Sequence, residues 1–161
     1  MFLALMYTSG QYEAYHHSHF DAASDAAFAD DIPTRRSTEA YAFRLFGAVI
    51  DWRSRRQTTV TTSTTEAELL SLSAAAKEFI AIQRLFSDLN FTFLSQPSIF
   101  CDNAQTIGLL KDENPILKTR LRHVDIHHHW LREQVQKGTI LVQWRRSNEI
   151  PPDGLTKSLP F

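Results

Sequence analysis

The sequence has a single cysteine among its 161 residues, Cys101. That excludes an intramolecular disulfide and any cysteine-rich zinc site. Cys101 sits inside an apolar run, so it reads as a buried thiol in a reducing compartment. No apolar run approaches the ~20 residues of a membrane span, so no membrane partner is expected. The apolar start, Met1 to Met6, lacks a basic flank and is too short for a signal segment. Net charge is also nearly absent, at -1, so overall charge does not announce a nucleic-acid binder. There is no internal repeat and no low-complexity tract. With 43% hydrophobic and 22% charged residues, the composition is that of an ordinary globular protein. Its length fits one domain with a sizeable core.

One further absence is local. Residues 1–34 hold Glu13, Asp21, Asp25, Asp30 and Asp31 but no lysine or arginine. Basic residues gather afterwards, at Arg35-Arg36, at Arg53, Arg55 and Arg56, and at Lys118, Arg120 and Arg122. An acidic patch beside basic ones suits a metal site flanked by phosphate contacts. Ordinary solvated surface produces the same pattern.

The patterning that is present predicts a mixed α/β order. Residues 2–7 read as a strand or as the remnant of a preceding element, and 8–19 as a polar loop. His16, His17 and His19 in that loop read as solvated. Residues 20–24 form a short strand leading into Asp25, and 26–38 a loop. Segments 40–46 and 48–54 flank Gly47 as a hairpin. Residues 57–62 connect to the clearest helix start, where Ser63 is the N-cap and Glu66 the N3 residue of a capping box. That helix runs to about Leu89 on a stripe of Leu69, Leu72, Ala76, Phe79, Ile80 and Leu85. Glu66 thus has a structural task, whereas Glu68 has none. A loop with Pro115 follows a short helix over 103–111. A longer helix then runs from Arg120 to Lys137 and ends at Gly138. A strand over 139–144, a loop with two prolines and a terminal helix over 153–159 complete the chain.

The pivot is Ser98-Ile99-Phe100-Cys101-Asp102-Asn103-Ala104-Gln105, where an apolar strand stops at an aspartate and a helix begins. Ligands bind at such strand ends in open α/β sheets. Alternatively, Asp102 is only an N-cap, with Gln105 as its N3 partner. Three other carboxylates stand at comparable junctions: Asp25 after the first core strand, Glu68 early in the long helix, and Asp153 opening the terminal helix. Hard divalent cations take such carboxylates together with substrate phosphate. Two ions ~3.5–4 Å apart can drive phosphodiester cleavage.

Six ordered motifs extend this reading. The chain has Ser24-Asp25-Ala26-Ala27-Phe28-Ala29-Asp30-Asp31 and Thr34-Arg35-Arg36-Ser37-Thr38-Glu39-Ala40-Tyr41. It continues with Thr64-Thr65-Glu66-Ala67-Glu68 and Phe100-Cys101-Asp102-Asn103-Ala104-Gln105-Thr106-Ile107. Then come Arg122-His123-Val124-Asp125-Ile126-His127-His128-His129-Trp130-Leu131-Arg132-Glu133 and Pro152-Asp153-Gly154-Leu155-Thr156-Lys157-Ser158-Leu159-Pro160. These resemble SDADWAGD, DRRSTSGY, SSTEAE, YCDNQSAI, KHIDIRYHFIRE and ADILTKPLP, patterns of the ribonuclease H domain that ends the Pol polyprotein of copia-type (Pseudoviridae) retrotransposons. The resemblance covers roughly residues 20–160.

The resemblance implies a ribonuclease H-like fold, a five-stranded mixed sheet flanked by helices, with three antiparallel strands followed by two parallel ones. It implies a ribonuclease H domain over 20–161, preceded at 1–19 by a connection from the polymerase region. It assigns Asp25, Glu68, Asp102 and Asp153 as catalytic, metal-holding acids, with two Mg²⁺ ions and Mn²⁺ as a substitute. The implied reaction is hydrolysis of RNA in an RNA–DNA hybrid during reverse transcription, beside the adjoining reverse transcriptase. The implied location is the cytoplasm, within virus-like particles. Asn103 is expected to help read the 2′-hydroxyl, and Arg35, Arg36, Arg55 and Arg56, with Arg53, to contact phosphates. Three departures stand out. Ala27 replaces a frequent second aspartate, Pro152-Asp153-Gly154 replaces a more helical sequence, and residues 147–152 lack the histidine of cellular ribonucleases H. His123, His127, His128 and His129 read as packing and hydrogen-bonding residues rather than zinc ligands. Trp52 and Trp144 read as core. The rival from another class is a non-catalytic module that binds nucleic acid or a protein partner.

Overall fold

The computed structural model describes residues 20–93, 95–112 and 121–156, apart from the side chain of Asp153. Several expectations lie outside the described residues: the connection at 1–19 with its strand and three histidines, the loop around Pro115 with Lys118 and Arg120, and the helix end at 157–159. The described elements are β1 (Phe20–Ala27), β2 (Thr38–Leu45), β3 (Ala48–Arg56), α1 (Thr64–Asp88), β4 (Ser98–Cys101), α2 (Ala104–Lys111), α3 (Arg122–Gln136), β5 (Leu141–Trp144) and α4 (Asp153–Thr156). The sheet order is β3-β2-β1-β4-β5. β1 pairs antiparallel with β2, and β2 with β3, while β1–β4 and β4–β5 are parallel. This is the mixed five-stranded sheet that the motifs implied.

Local chemistry sets the element ends. The β2–β3 hairpin turns on Phe46 and Gly47, both at positive φ (53° and 81°), as a two-residue turn matched to strand twist requires. Ser63 caps α1, its Oγ accepting from the Glu66 N–H at 3.2 Å. The Glu66 carboxylate reaches one residue behind the cap, accepting from the Thr62 N–H at 2.6 Å and its hydroxyl at 2.8 Å. Gly138, at φ 69°, ends α3 in the left-handed conformation that suits glycine.

α1 packs across β1 and β2 and against α2 and α3. Its buried face carries Leu69, Leu72, Ala76, Phe79 and Ile80, as the stripe predicted. Phe79 stacks on Phe20 of β1 at a 4.5 Å centroid distance. Leu85 departs from the prediction and is 56% exposed. Leu85 follows Leu69 by 16 residues, about 160° round the helix at 3.6 residues per turn, so it faces away from the sheet, whereas Phe86 beside it still reaches the Phe20 ring. Trp52 and Trp144 also depart from expectation, at 59% and 53% exposed. β3 and β5 are the two edges of the sheet, and no described layer covers either indole. Among the described residues no helix is long and apolar enough to cross a membrane.

This packing predicts an asymmetry along α1. Leu72→Ala should lower the unfolding free energy by about 3 kcal/mol, the usual cost of a core cavity. Leu85→Ala should cost less than about 1 kcal/mol. Urea denaturation of both variants checks this, and equal costs would contradict the packing described.

Candidate active site

Asp25 lies within β1, not after it: the strand runs on to Ala27 because the antiparallel ladder with β2 continues through Ala27↔Thr38. On its other side β1 pairs in parallel with β4 through Ala23↔Phe100. Continuing that register by two residues sets Asp25 abreast of Asp102. The Asp25 backbone carbonyl accepts from Ser71 Oγ of α1 at 2.8 Å. Its carboxylate accepts from the hydroxyl of Thr156 in α4. One side of Asp25 is thus tied to the long helix and the other to the last described element.

Glu68 enters from α1, 5% exposed. Its Oε1 accepts from the Ala26 N–H at 3.1 Å, one residue beyond Asp25. Burial first, then the charges of Asp25 and Asp102, push its carboxyl from about 4.5 up to about 9, against the pull of the Ala26 N–H. One ligand atom each from Glu68, Cys101 and Asp102 lie within 4.8 Å of one another. The Cys101 thiol donates to Glu68 Oε2 at 4.0 Å. Burial and the same carboxylates push that thiol far up, so it stays protonated.

Asp102 follows β4 directly. Its carbonyl accepts from the Trp144 indole N–H at 2.9 Å, and its carboxylate from the Ser147 hydroxyl. The N-cap alternative for Asp102 does not hold. Asn103 caps α2, its Oδ1 accepting from the Thr106 N–H at 2.9 Å. Gln105 instead accepts from Thr65 Oγ1 at 2.8 Å. One residue decides this: Asn103 satisfies the helix end and leaves the Asp102 carboxylate to the site.

The structure therefore brings Glu68 and Asp102 within ligand range of each other and sets Asp25 close enough for its charge to act on Glu68. Asp153 opens α4, which packs against β1 and β2, and its side chain lies outside the described residues. Asn103 stands next to Asp102 with its oxygen committed to the cap. The basic residues stand at the same end of the sheet, since Ala27, Thr38 and Arg56 are in register. They are already partnered in part. Arg55 Nε lies 2.5 Å from Glu39 Oε1, and Arg56 Nη2 lies 3.0 Å from Asp31 Oδ1. Arg35 sits at φ 55° in the β1–β2 loop, where its N–H donates to the Asp31 carbonyl at 2.7 Å. Arg36 is exposed in the same loop.

Arg53 and Arg55 share the helix-covered face with Tyr41 and Glu39, their cross-strand partners. There they line a cavity of about 190 Å³ with Gln57, Lys77, His123 and His127. Lys77 was not a sequence candidate, and its place on the polar flank of α1 carried no motif that could have flagged it. His123 Nε2 meets Thr59 Oγ1 at 3.0 Å, and His127 Nδ1 meets Ser73 Oγ at 2.7 Å. Burial first, then Lys77 and His123, lower the His127 pKa. Both rings therefore hydrogen-bond within the packing of α3, as the sequence suggested.

Comparison with known proteins places these features in a lineage. No family model matches the chain. It is 36% identical over 137 residues to the retrovirus-related Pol polyprotein from transposon TNT 1-94 of Nicotiana tabacum, a match covering 85% of this chain and 10% of that protein. It is 35% identical over 138 residues to the corresponding polyprotein from transposon RE1 of Arabidopsis thaliana, covering 86% and 9%. The chain thus spans about a tenth of the length of these curated relatives. A shorter match, 47% identical over 57 residues, is to secreted RxLR effector protein 161 of Plasmopara viticola, covering 35% of this chain and 40% of that protein. Among solved structures, LC11-RNase H1, isolated from compost, superposes with TM-score 0.64 at 9% identity, covering 86% of this chain and 92% of that one. Its complex with an RNA/DNA hybrid superposes with TM-score 0.59 at 9% identity, covering 84% and 92%. The prototype foamy virus protease-reverse transcriptase gives TM-score 0.56 at 15% identity, covering 89% and 20%. The chain is a homologue of the retrovirus-related Pol polyproteins of copia-type plant transposons, and it carries the ribonuclease H fold.

Proposed function

We propose that this chain is a ribonuclease H-type nuclease that hydrolyses the RNA strand of RNA–DNA hybrids during retrotransposon reverse transcription. One observation carries the reading: carboxylates from β1, α1 and the end of β4 gather at one end of the sheet, and burial first, then the charges of Asp25 and Asp102, push the Glu68 carboxyl up to about 9. A structural core has no use for that arrangement, whereas a site for divalent cations does. The superposition with a ribonuclease H in complex with an RNA/DNA hybrid supports the choice of substrate.

The donor set fits a hard cation. Asp25, Glu68 and Asp102 offer only oxygen, and Glu68 can ionise at neutral pH when positive charge offsets its two neighbours. Cys101, protonated and soft, does not belong to the set. Asp25, Glu68, Asp102 and Asp153 would hold two Mg²⁺ ions, with Mn²⁺ as a substitute. When bound, the ions supply activation of water and stabilisation of the leaving oxygen. The chain's own residues orient the acids: Thr156 and Ser71 hold Asp25, the Ala26 N–H holds Glu68, and Ser147 holds Asp102. Arg35, Arg36, Arg55 and Arg56 would contact backbone phosphates, and the Asn103 amide N–H would face the 2′-hydroxyl. The adjoining reverse transcriptase would help grip the hybrid, in the cytoplasm within virus-like particles. A second reading, a non-catalytic binding module, is favoured by the effector match.

Asp102→Asn should keep the circular dichroism spectrum and lose more than about a hundredfold in cleavage rate, the scale of losing one transition-state charge stabiliser. A labelled RNA–DNA hybrid with Mg²⁺ or Mn²⁺, beside a duplex-DNA control, reads this out. Parent-like cleavage by the variant overturns the site, and silence of the parent with the reverse transcriptase added favours the binding module.

An unfolded glutamate ionises near 4.5, but Glu68 in the folded protein does so at about 9. Between those values the folded state keeps a proton that the unfolded state has released. Its stabilising contribution is complete below pH 4.5 and is lost as pH rises towards about 9, at up to about 1.4 kcal/mol per pH unit. In chelator, thermal melts should fall from pH 6 to 9 for the parent, and Glu68→Gln should flatten that fall. An equally steep profile for both proteins would contradict the assigned shift.

A further inference from the structure

Helix α3 holds a second group of metal-ligating side chains, distinct in chemistry from the carboxylate cluster. One donor atom each from Asp125, His128 and His129 lie within 4.8 Å of one another. We propose that these three residues form a site for one divalent transition-metal ion of the zinc class, with water completing a four-coordinate shell. Two imidazoles and one carboxylate are a borderline-soft set, suited to zinc and poor for Mg²⁺.

The one distance between the exposed pair is compatible with coordination. Asp125 Oδ1 and His129 Nε2 are 3.5 Å apart. That exceeds the ~2.7–3.2 Å of a good N–H···O bond. Zinc bonds of ~2.0–2.1 Å at tetrahedral angles put neighbouring donors about 3.3–3.4 Å apart. The pair therefore stands near the edge length of a zinc polyhedron. The i,i+4 spacing explains why the two meet, since both project from one helix face.

His128 contributes the buried corner. It is 2% exposed, and its Nε2 points at the Leu109 carbonyl of α2 at 3.1 Å. A carbonyl only accepts, so Nε2 carries the proton and Nδ1 keeps the lone pair that a metal takes. A ligating histidine typically has its other nitrogen held by a carbonyl in this way. Two of the nearby charged groups have partners outside the three residues. Arg132 Nη2 donates to the Asp112 carbonyl at 3.1 Å, and Glu133 pairs with Lys137 at 2.6 Å. His123 and His127 are bonded to Thr59 and Ser73 and stand outside the group.

The test uses the full chain, stripped with chelator and titrated with Zn²⁺ by calorimetry and with Co²⁺ by visible absorption. The parent and Asp102→Asn should each show a site with Co²⁺ bands of four-coordinate intensity, and Zn²⁺ should raise the melting temperature of both. Asp125→Ala and His129→Ala, both at exposed positions, should weaken that site at least about tenfold while keeping the parent's spectrum in the far ultraviolet. His127→Ala should leave it intact. The proposal is overturned if the parent shows no such Co²⁺ bands. It is equally overturned if Asp125→Ala and His129→Ala bind like the parent, or if His127→Ala loses the metal as they do. None of these readouts depends on cleavage of a hybrid.

Discussion

Three acidic groups gathered at one end of the sheet are the constraint on which the rest of the structure turns. Glu68 is nearly inaccessible, and Asp25 and Asp102 both raise its carboxyl. Left alone, such a cluster would push its elements apart or draw in water. What opposes this is a set of donors aimed at each acid: the Thr156 hydroxyl at Asp25, the Ala26 N–H at Glu68 and the Ser147 hydroxyl at Asp102. Each donor comes from a different element, so the acids can be held only once the whole sheet and its flanking helices are assembled.

The packing is arranged to serve that end. Ser71 of α1 donates to the carbonyls of Asp25 and Ala40, fastening the helix to two strands at the level of the acids. Phe20, Phe43 and Phe79 fill the space nearer the start of β1, with centroids 4.5 to 6.3 Å apart. The aromatic end sets how α1 crosses the sheet, and the polar end sets where Glu68 arrives. Across the other face, Thr156 reaches Asp25 over 131 residues of chain. The last described element therefore completes the surroundings of an acid on the first strand.

Electrostatics divides the surface near this site. Arg55 and Arg56 are neutralised in part by Glu39 and Asp31, and these acids also keep the arginines in place. A pre-paired arginine can exchange a carboxylate for a phosphate with little reorganisation. The exposed indoles of Trp52 and Trp144 belong to the same economy of edges. A five-stranded open sheet has two of them, and an aromatic on an edge strand stays half in solvent unless another layer arrives.

Much of this was legible in the residues. The capping box at Ser63 and Glu66, the hairpin at Gly47 and the stop at Gly138 are local, because hydrogen bonds between near neighbours decide them. Glu68 stood apart from Glu66 because only Glu66 had a cap to serve. What the chain could not state was which of Asp102 and Asn103 would cap α2, since both side chains can accept from a helix N–H. Nor could it state that Trp52 and Trp144 would lie at edges, or that Lys77 would share a cavity with Arg53 and Arg55. Sequence by itself determined the elements, their ends and the acids available, because short-range periodicity and capping are written in neighbouring residues. Only the tertiary structure decided which acids share a site and how far Glu68 is driven from its usual ionisation, because repulsion and burial depend on distances between residues far apart in the chain.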